Sequence, residues 1–306
     1  MVAKIIYKEK TMSVLEFENV TGNIYLLRVP FGDSWTGVTL IKGPENVLID
    51  TGSRGADTDE YIVPALARLG LALSDIGWLV NTHSHGDHIG GYQRIKELCP
   101  KLKVAAARSD AANVEDPAAL AVRIRTRFPE YSPAPQSYLK GVRVDRVLSD
   151  GECLIPDLRV VETPGHDMGC VCWYEEKTRS LITGDSIQGN GTPAQGIGFY
   201  QSLDAYRASM KKLLALGAEN IICGHDYDMI GSVIKGADKV RKALQLSLDL
   251  TDKYQDYVDK KLESGICDAG QIAKSMIEDI GCGMPPALFM AVYTVTGHIE
   301  KSEKRC

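Results

Sequence analysis

The chain lacks any hydrophobic run able to span a bilayer: its longest apolar stretch, residues 287–295, falls far short of the ~20 residues a transmembrane helix needs. A signal peptide is also not expected, because the opening Met-Val-Ala-Lys-Ile-Ile-Tyr-Lys-Glu-Lys has charge without a following apolar segment or small-residue cleavage site. The reading is a cytoplasmic protein. Positive charge is in short supply: 35 Lys and Arg stand against 40 Asp and Glu, a net charge of −5, which argues against a broad surface for nucleic-acid backbone. The eight cysteines have no paired zinc-knuckle spacing, and in a reducing compartment they read as small buried apolar residues. Cys170 and Cys172, alternating on an expected strand, face one side of it. There is no tandem repeat and no low-complexity segment. What is present is 306 residues at 44 % hydrophobic content, enough for one large domain or a domain with an appendage.

Apolar runs at 24–29, 37–41 and 47–49, separated by turn chemistry at 30–33 and 43–46, predict antiparallel strands. The loop carrying Phe31 and Trp35 is either a flap over a site or a locally packed hairpin. Continuous apolar character at 47–49 and 77–81 predicts strands buried on both faces. Helices are expected over 59–69, 88–98, 109–131 and 203–216, and further strands over 104–107, 142–148, 158–162, 171–174, 180–182 and 220–223. The order of elements before and after about Ser132 is similar, which predicts a two-halved, β-rich core. Beyond residue 230 the spacing is helical throughout, over 235–262, 269–280 and 285–294. The expected division is a domain over 1–230 and a C-terminal helical extension over 231–306.

Residues 78–91, Trp-Leu-Val-Asn-Thr-His-Ser-His-Gly-Asp-His-Ile-Gly-Gly, put His83, His85, Asp87 and His88 directly after an apolar strand. Three imidazoles and a carboxylate at such a place imply a partner that offsets their desolvation, and a metal ion does so. A short helix would place His83 and Asp87 on one face and His85 and His88 on another, so that one segment serves two ions. Four more buried runs end in Asp50, His166, Asp185 and His225. Strand ends converging on one edge would bring these residues to the cluster. The sixth histidine, His298, reads as an ordinary packed residue of the tail. The Gly-rich segment 187–202 is either a mobile lid carrying Tyr200 to an oxyanion or a surface crossover.

These stretches, 48–52, 82–91, 162–169, 183–186 and 223–226 in that order, resemble a hydrolase of the metallo-β-lactamase superfamily, in its glyoxalase II-like branch. The resemblance spans about residues 20–230. It implies an α+β fold, a four-layer αββα sandwich with a dinuclear site at one edge, here followed by the C-terminal helical extension. It also implies His83, His85 and His166 as ligands of one metal and Asp87, His88 and His225 as ligands of a second. Asp185 would bridge both, and Asp50 would orient a ligating imidazole. The chain departs from exported β-lactamases, which carry Cys at the position of Asp185, and from flavodiiron proteins, which carry an acid at that of His85. After His166 it has Asp167-Met168-Gly169-Cys170 instead of the family's usual Thr-Pro-Gly-Ser.

The expected activity is hydrolysis of a small ester, thioester or lactone. Two divalent ions about 3.5 Å apart would share a bridging hydroxide as nucleophile. Asp87 and Asp185, with Tyr200 at the oxyanion, are the candidate catalytic groups. Zinc is the first expectation for the metal, and iron or manganese fit the same ligands. The expected partner is a small-molecule substrate, with no membrane and no nucleic acid, and the tail is a candidate pocket wall or homodimer contact. In glyoxalase II the corresponding region supplies basic residues for glutathione, and Lys235, Lys239, Arg241 and Lys242 stand there in this chain. Two other classes remain open: a phosphodiesterase or nuclease on the same scaffold, and a weakly active regulatory or binding protein that retains the metal site.

Overall fold

Strands that are apolar at every position must bury both faces, and a sheet with a second sheet on one side and helices on the other provides that. The computed structural model describes residues 15–303 and has this arrangement. The first sheet runs β1 (Glu18–Thr21), β2 (Ile24–Phe31), β3 (Ser34–Ile41), β4 (Asn46–Ile49), β5 (Ile76–Val80), β6 (Lys103–Ala107), β7 (Arg146–Leu148) in spatial as in chain order. It is antiparallel up to β4 and parallel from there to β7. The second contains β8 (Cys153–Ile155), β9 (Leu158–Glu162), β10 (Val171–Glu175), β11 (Ser180–Gly184), β12 (Asn220–Tyr227) and β13 (Gly231–Lys235), in the order β13-β12-β11-β10-β9-β8. Only the β11–β12 pair in it is parallel.

The alternation of side chains divides each apolar run between two cores. Val47, Ile49, Trp78 and Val80 point inward and meet Val160, Trp173, Ile182 and Ile222 of the opposite sheet. Their neighbours Leu48 and Leu79 point outward onto Ile62, Leu66, Tyr92 and Ile95 of the covering helices. On the far side, Val161, Cys172, Leu181 and Ile221 lie under Met210, Leu213, Leu244 and Tyr254. The αββα expectation is met layer by layer.

Leu203–Leu216 forms as the sequence indicates, capped by Ser202, whose Oγ accepts from the Ala205 amide, and closed by Gly217 at φ 67°. The polar helix expected over 109–131 is two shorter ones, Ala111–Glu115 and Pro117–Thr126. Pro117 has no N–H to continue the first helix, and Asp116 caps the second by accepting from Ala119. The strand expected over 142–148 joins the sheet only at β7, because the Val142 and Val144 amides are taken by Val114 O and Glu115 Oε1.

The boundary expected between 230 and 231 falls in the turn of the β12–β13 hairpin. The helices that follow, Ala237–Glu263, Ala269–Ile280 and Phe289–Glu303, share one buried cluster with the second sheet. They therefore complete its outer layer. No described helix is long and apolar enough to cross a membrane.

Candidate metal centre

The parallel strands β4 and β5, and likewise β11 and β12, send their C-terminal ends to one edge of the sandwich. Asp50 and the 82–88 segment follow the first pair; Asp185 follows β11, and His225 lies near the end of β12. The two sheets are tied there by backbone: the Val171 amide donates to Thr82 O, and Trp173 Nε1 to Asn81 O. Gly224 is required at this junction. A β-carbon on it would lie 2.5 Å from Asp185 Oδ1 and 2.8 Å from His88 Cε1, closer than any side chain tolerates.

The residues singled out from sequence come together in three overlapping groups: His83, His85 and His166; His83, His88 and Asp185; Asp87, His88 and His225. Ligand atoms within each lie no more than 4.8 Å apart. Asp185 stands between the triads, with its oxygens 3.3 Å from His88 Nε2 and 3.5 Å from both His166 Nε2 and His225 Nε2. The helical-face expectation needs correction. The helix begins only at Gly86, so His83 and His85 lie on extended backbone before it and pair with each other. Asp87 and His88 form the other group.

In most of these imidazoles one nitrogen is committed to the protein and the other faces the cluster. Asp50 accepts from the Thr82 amide and Thr82 Oγ1, each at 2.8 Å, and from His88 Nδ1 at 2.9 Å. With its proton spent on Asp50, Thr82 Oγ1 accepts from His83 Nδ1 at 3.2 Å. His166 Nδ1 donates to Phe199 O at 3.0 Å and His225 Nδ1 to Trp35 O at 2.7 Å. His85 Nδ1 faces His166 Nε2 at 3.0 Å, with Asp167 Oδ2 3.7 Å from its Nε2, an ion-pair distance but not a hydrogen bond. His83 Nε2, His88 Nε2 and Asp185 Oδ1 are buried without a hydrogen-bond partner. Orphaned buried atoms of this kind, on imidazoles oriented through their other nitrogen, fit a divalent ion.

The electrostatics agree. Burial opposes charge on His88, yet Asp185, Asp50 and Asp87 raise it well above the ordinary imidazole value. Against the same burial, Asp185 and Asp87 lift His225 to about 10. Burial, with His88 and His85 adding to it, holds His83 well below, and burial with His85 brings His166 down to about 4. Burial pushes the Asp87 and Asp185 carboxyls up, but the facing imidazoles outweigh it and keep both well below the usual range. The carboxylates thus draw cationic charge into the cluster, and metal ions would replace those protons.

Tyr200 is placed elsewhere. Its ring stacks on Tyr206 at 4.7 Å, and its hydroxyl is bonded to His298 Nε2 at 2.7 Å. It anchors the C-terminal helices, with no reach to an oxyanion. Nor is 187–202 a lid or a surface crossover: residues 187–200 are buried except Pro193 and Ala194, and Gln201 and Ser202 are half-buried. Gln188 binds Asp185 O through Nε2 and accepts from the Phe199 amide, while Asn190 donates to Asp228 and Ile280 O and accepts from Tyr254. The segment is a fixed support linking Asp185 and His166 to the tail. The exposed Phe31 ring lies 6.2 Å from His225, so the hairpin does border the site.

Sequence reasoning passed over Asp110. Its Oδ2 accepts from Ser84 Oγ and Asn81 Nδ2, each at 2.6 Å, and Oδ1 from Asn113 at 2.8 Å, which pins the backbone between His83 and His85. The signal was available, since Asp110 follows a buried apolar strand as Asp50 does. Asp110→Ala is expected to cost about 3 kcal/mol by stranding buried donors, read as a lowered denaturant midpoint at unchanged slope.

Residues 36–225 match the Metallo-beta-lactamase superfamily. The chain is 29% identical over 192 residues to a Hydroxyacylglutathione hydrolase from Rhodospirillum rubrum, covering 60% of this chain and 63% of that one. It is 24% identical over 210 residues to an Atrochrysone carboxyl ACP thioesterase from Aspergillus fumigatus, covering 68% and 53%. The chain spans less than two thirds of the length of the curated relatives it matches first. A solved metallo-beta-lactamase family protein from Thermus thermophilus superposes with a TM-score of 0.70 over 92% of this chain and 94% of that one, at 22% identity, a likeness of fold.

Proposed function

The chain belongs to the metallo-beta-lactamase superfamily, and from that premise we propose that it is a dinuclear metal-dependent hydrolase of a small ester, thioester or lactone, with thioesters foremost. The observation that carries the reading is Asp185, a single buried carboxylate within 3.5 Å of imidazoles from both triads. Names of relatives, a hydroxyacylglutathione hydrolase and an acyl-carrier thioesterase, support the thioester choice.

His83, His85 and His166 would hold one divalent ion and Asp87, His88 and His225 the other, with Asp185 facing both; nitrogen-rich donors of this kind suit zinc, iron or manganese. Ions bound there would polarise an acyl carbonyl and bring the pKa of a water toward neutrality. The chain's own part is orientation and exclusion of solvent. Asp50, through Thr82 and His88, fixes the rings of His83 and His88. The Phe199 ring, 4.8 Å from that of His166, and Phe31 beside His225 border the reaction space. The side chains of His85, 15% exposed, and Asp87, 19% exposed, mark its open side. Asp87 would hold the second ion from that open side and face an incoming substrate.

The test is metal analysis of purified protein followed by a panel of acyl thioesters, lactones and bis(p-nitrophenyl) phosphate. Thioester or ester turnover should be lost on chelation and restored by zinc. Full activity in metal-free protein, or turnover of the phosphodiester alone, would overturn the reading. Intact metal binding with no turnover would favour a regulatory role.

A further inference from the structure

Arg125 projects from the helix Pro117–Thr126 with its Nη1 buried and without a hydrogen-bond partner. Its neighbours on the helix are engaged: Arg123 donates to Asn113 Oδ1, and Arg127 pairs with Glu300 at 3.7 Å. Arg125 lies over the face of Phe289, with Cζ 3.8 Å from the ring centroid. A half-buried guanidinium with no ion pair among the described residues is unfavourable unless something supplies a direct partner.

Its position indicates what. The Phe289 ring lies 6.2 Å from that of Phe199. Phe199 in turn stacks with His85 at 6.3 Å and an interplanar angle of 12°. Leu120, Ile124, Phe199, Phe289 and Tyr293 form one buried cluster, tied by the Tyr293 hydroxyl donating to Ile124 O. The guanidinium is thus held on an aromatic wall that leads to His85, on the open side of the metal centre. Burial lowers its pKa, and among charges acting the other way Asp87 is the largest, so the two are within electrostatic reach. A planar guanidinium offers a forked donor pair that matches a carboxylate or phosphate.

We propose that Arg125 is a specificity-determining residue that binds an anionic group of the substrate, so that the ester or thioester carries a carboxylate or phosphate beside the reacting acyl group. The inference rests on the hydrolase reading above and narrows it. Arg125 pairs with the anionic end of the molecule, and the acyl carbonyl lies over His85 and Asp87.

The experiment uses the zinc-loaded full chain and matched substrates: S-phenyl monothiosuccinate against S-phenyl thiobutyrate, and S-phenyl 2-phosphonooxythioacetate against S-phenyl 2-hydroxythioacetate. The native protein should favour the anionic member of one pair by about 10- to 100-fold in kcat/KM, and the pair that shows it identifies carboxylate or phosphate. Arg125→Gln and Arg125→Met should erase that preference through KM while leaving kcat on the neutral member unchanged, and Arg125→Lys should retain part of it. Equal kcat/KM within both pairs, or equal losses on charged and neutral members in the variants, would overturn the proposal. Calorimetric binding of the corresponding thioethers, which cannot be hydrolysed, separates the two readings. Charge-selective, Arg125-dependent binding without turnover of any substrate leaves the anion site standing and sinks the hydrolase. Turnover without charge selectivity does the reverse.

Discussion

Asp185→Asn is expected to reduce kcat by on the order of a thousandfold or more, equivalent to about 4 kcal/mol of lost transition-state stabilisation. The amide keeps the shape of the side chain and removes the negative charge that His88, His166 and His225 surround. It also turns one acceptor into a donor aimed at nitrogens that need their lone pairs for metal. Metal analysis should show fewer than two equivalents retained through gel filtration, with circular dichroism unchanged. A variant that kept both ions and native kcat would remove Asp185 from the centre of the mechanism. Asp50→Asn provides the comparison: its contacts are to Thr82 and His88, and loss of such support typically costs about 10- to 100-fold in metal affinity or activity.

A chain ended at Lys235 is expected not to fold. The helices it would lose contribute Val240, Leu244, Leu250, Tyr254, Val258, Ile272, Met276, Val292 and Val295 to the cluster that covers the second sheet. At roughly 1.5–3 kcal/mol for each fully buried side chain, that loss matches or exceeds the about 5–15 kcal/mol that stabilises a typical domain. The truncation would also strip Tyr254 from Asn190 and the Gly198 amide, and Thr294 from the Tyr200 amide, loosening the segment that holds His166. Near-UV circular dichroism and the cooperativity of urea unfolding read the outcome. A truncated chain with a sharp transition and native metal content would support the expected division at residue 230 and overturn this prediction.

The metal-ligand candidates were legible because their chemistry conflicts with their surroundings. Imidazoles and carboxylates ending apolar strands have no packing explanation, and strand ends converge by topology. The layer order was legible for a related reason, as runs such as 47–49 and 221–223 are apolar at successive positions and must be covered twice. The orientation of the 187–202 segment was not. Glycine and small polar residues signal backbone freedom, but here the polar atoms of Gln188 and Asn190 are consumed by partners as distant as Tyr254 and Ile280. Nothing local announces such pairings. Tyr200 misled for the same reason: proximity to Asp185 in sequence suggested a hydroxyl at the site, whereas His298, 98 residues away, takes it. The edge strand β13 was hidden because Gly231–Lys235 alternates too weakly to stand out beside the strongly helical pattern after it.

Gly90, Gly91 and Gly224 leave no room for even one added carbon, with built contacts of 2.1, 2.8 and 2.5 Å, so the reactive edge tolerates almost no drift. The helix Pro117–Thr126, by contrast, stands outside both sheets and packs toward that edge on a cluster containing Phe199, Phe289 and Tyr293. If Arg125 selects the substrate as proposed, chemistry and recognition are written on separable lengths of chain. Substitutions along that one helix would then change which molecules are admitted without touching the crowded glycine positions of the metal edge.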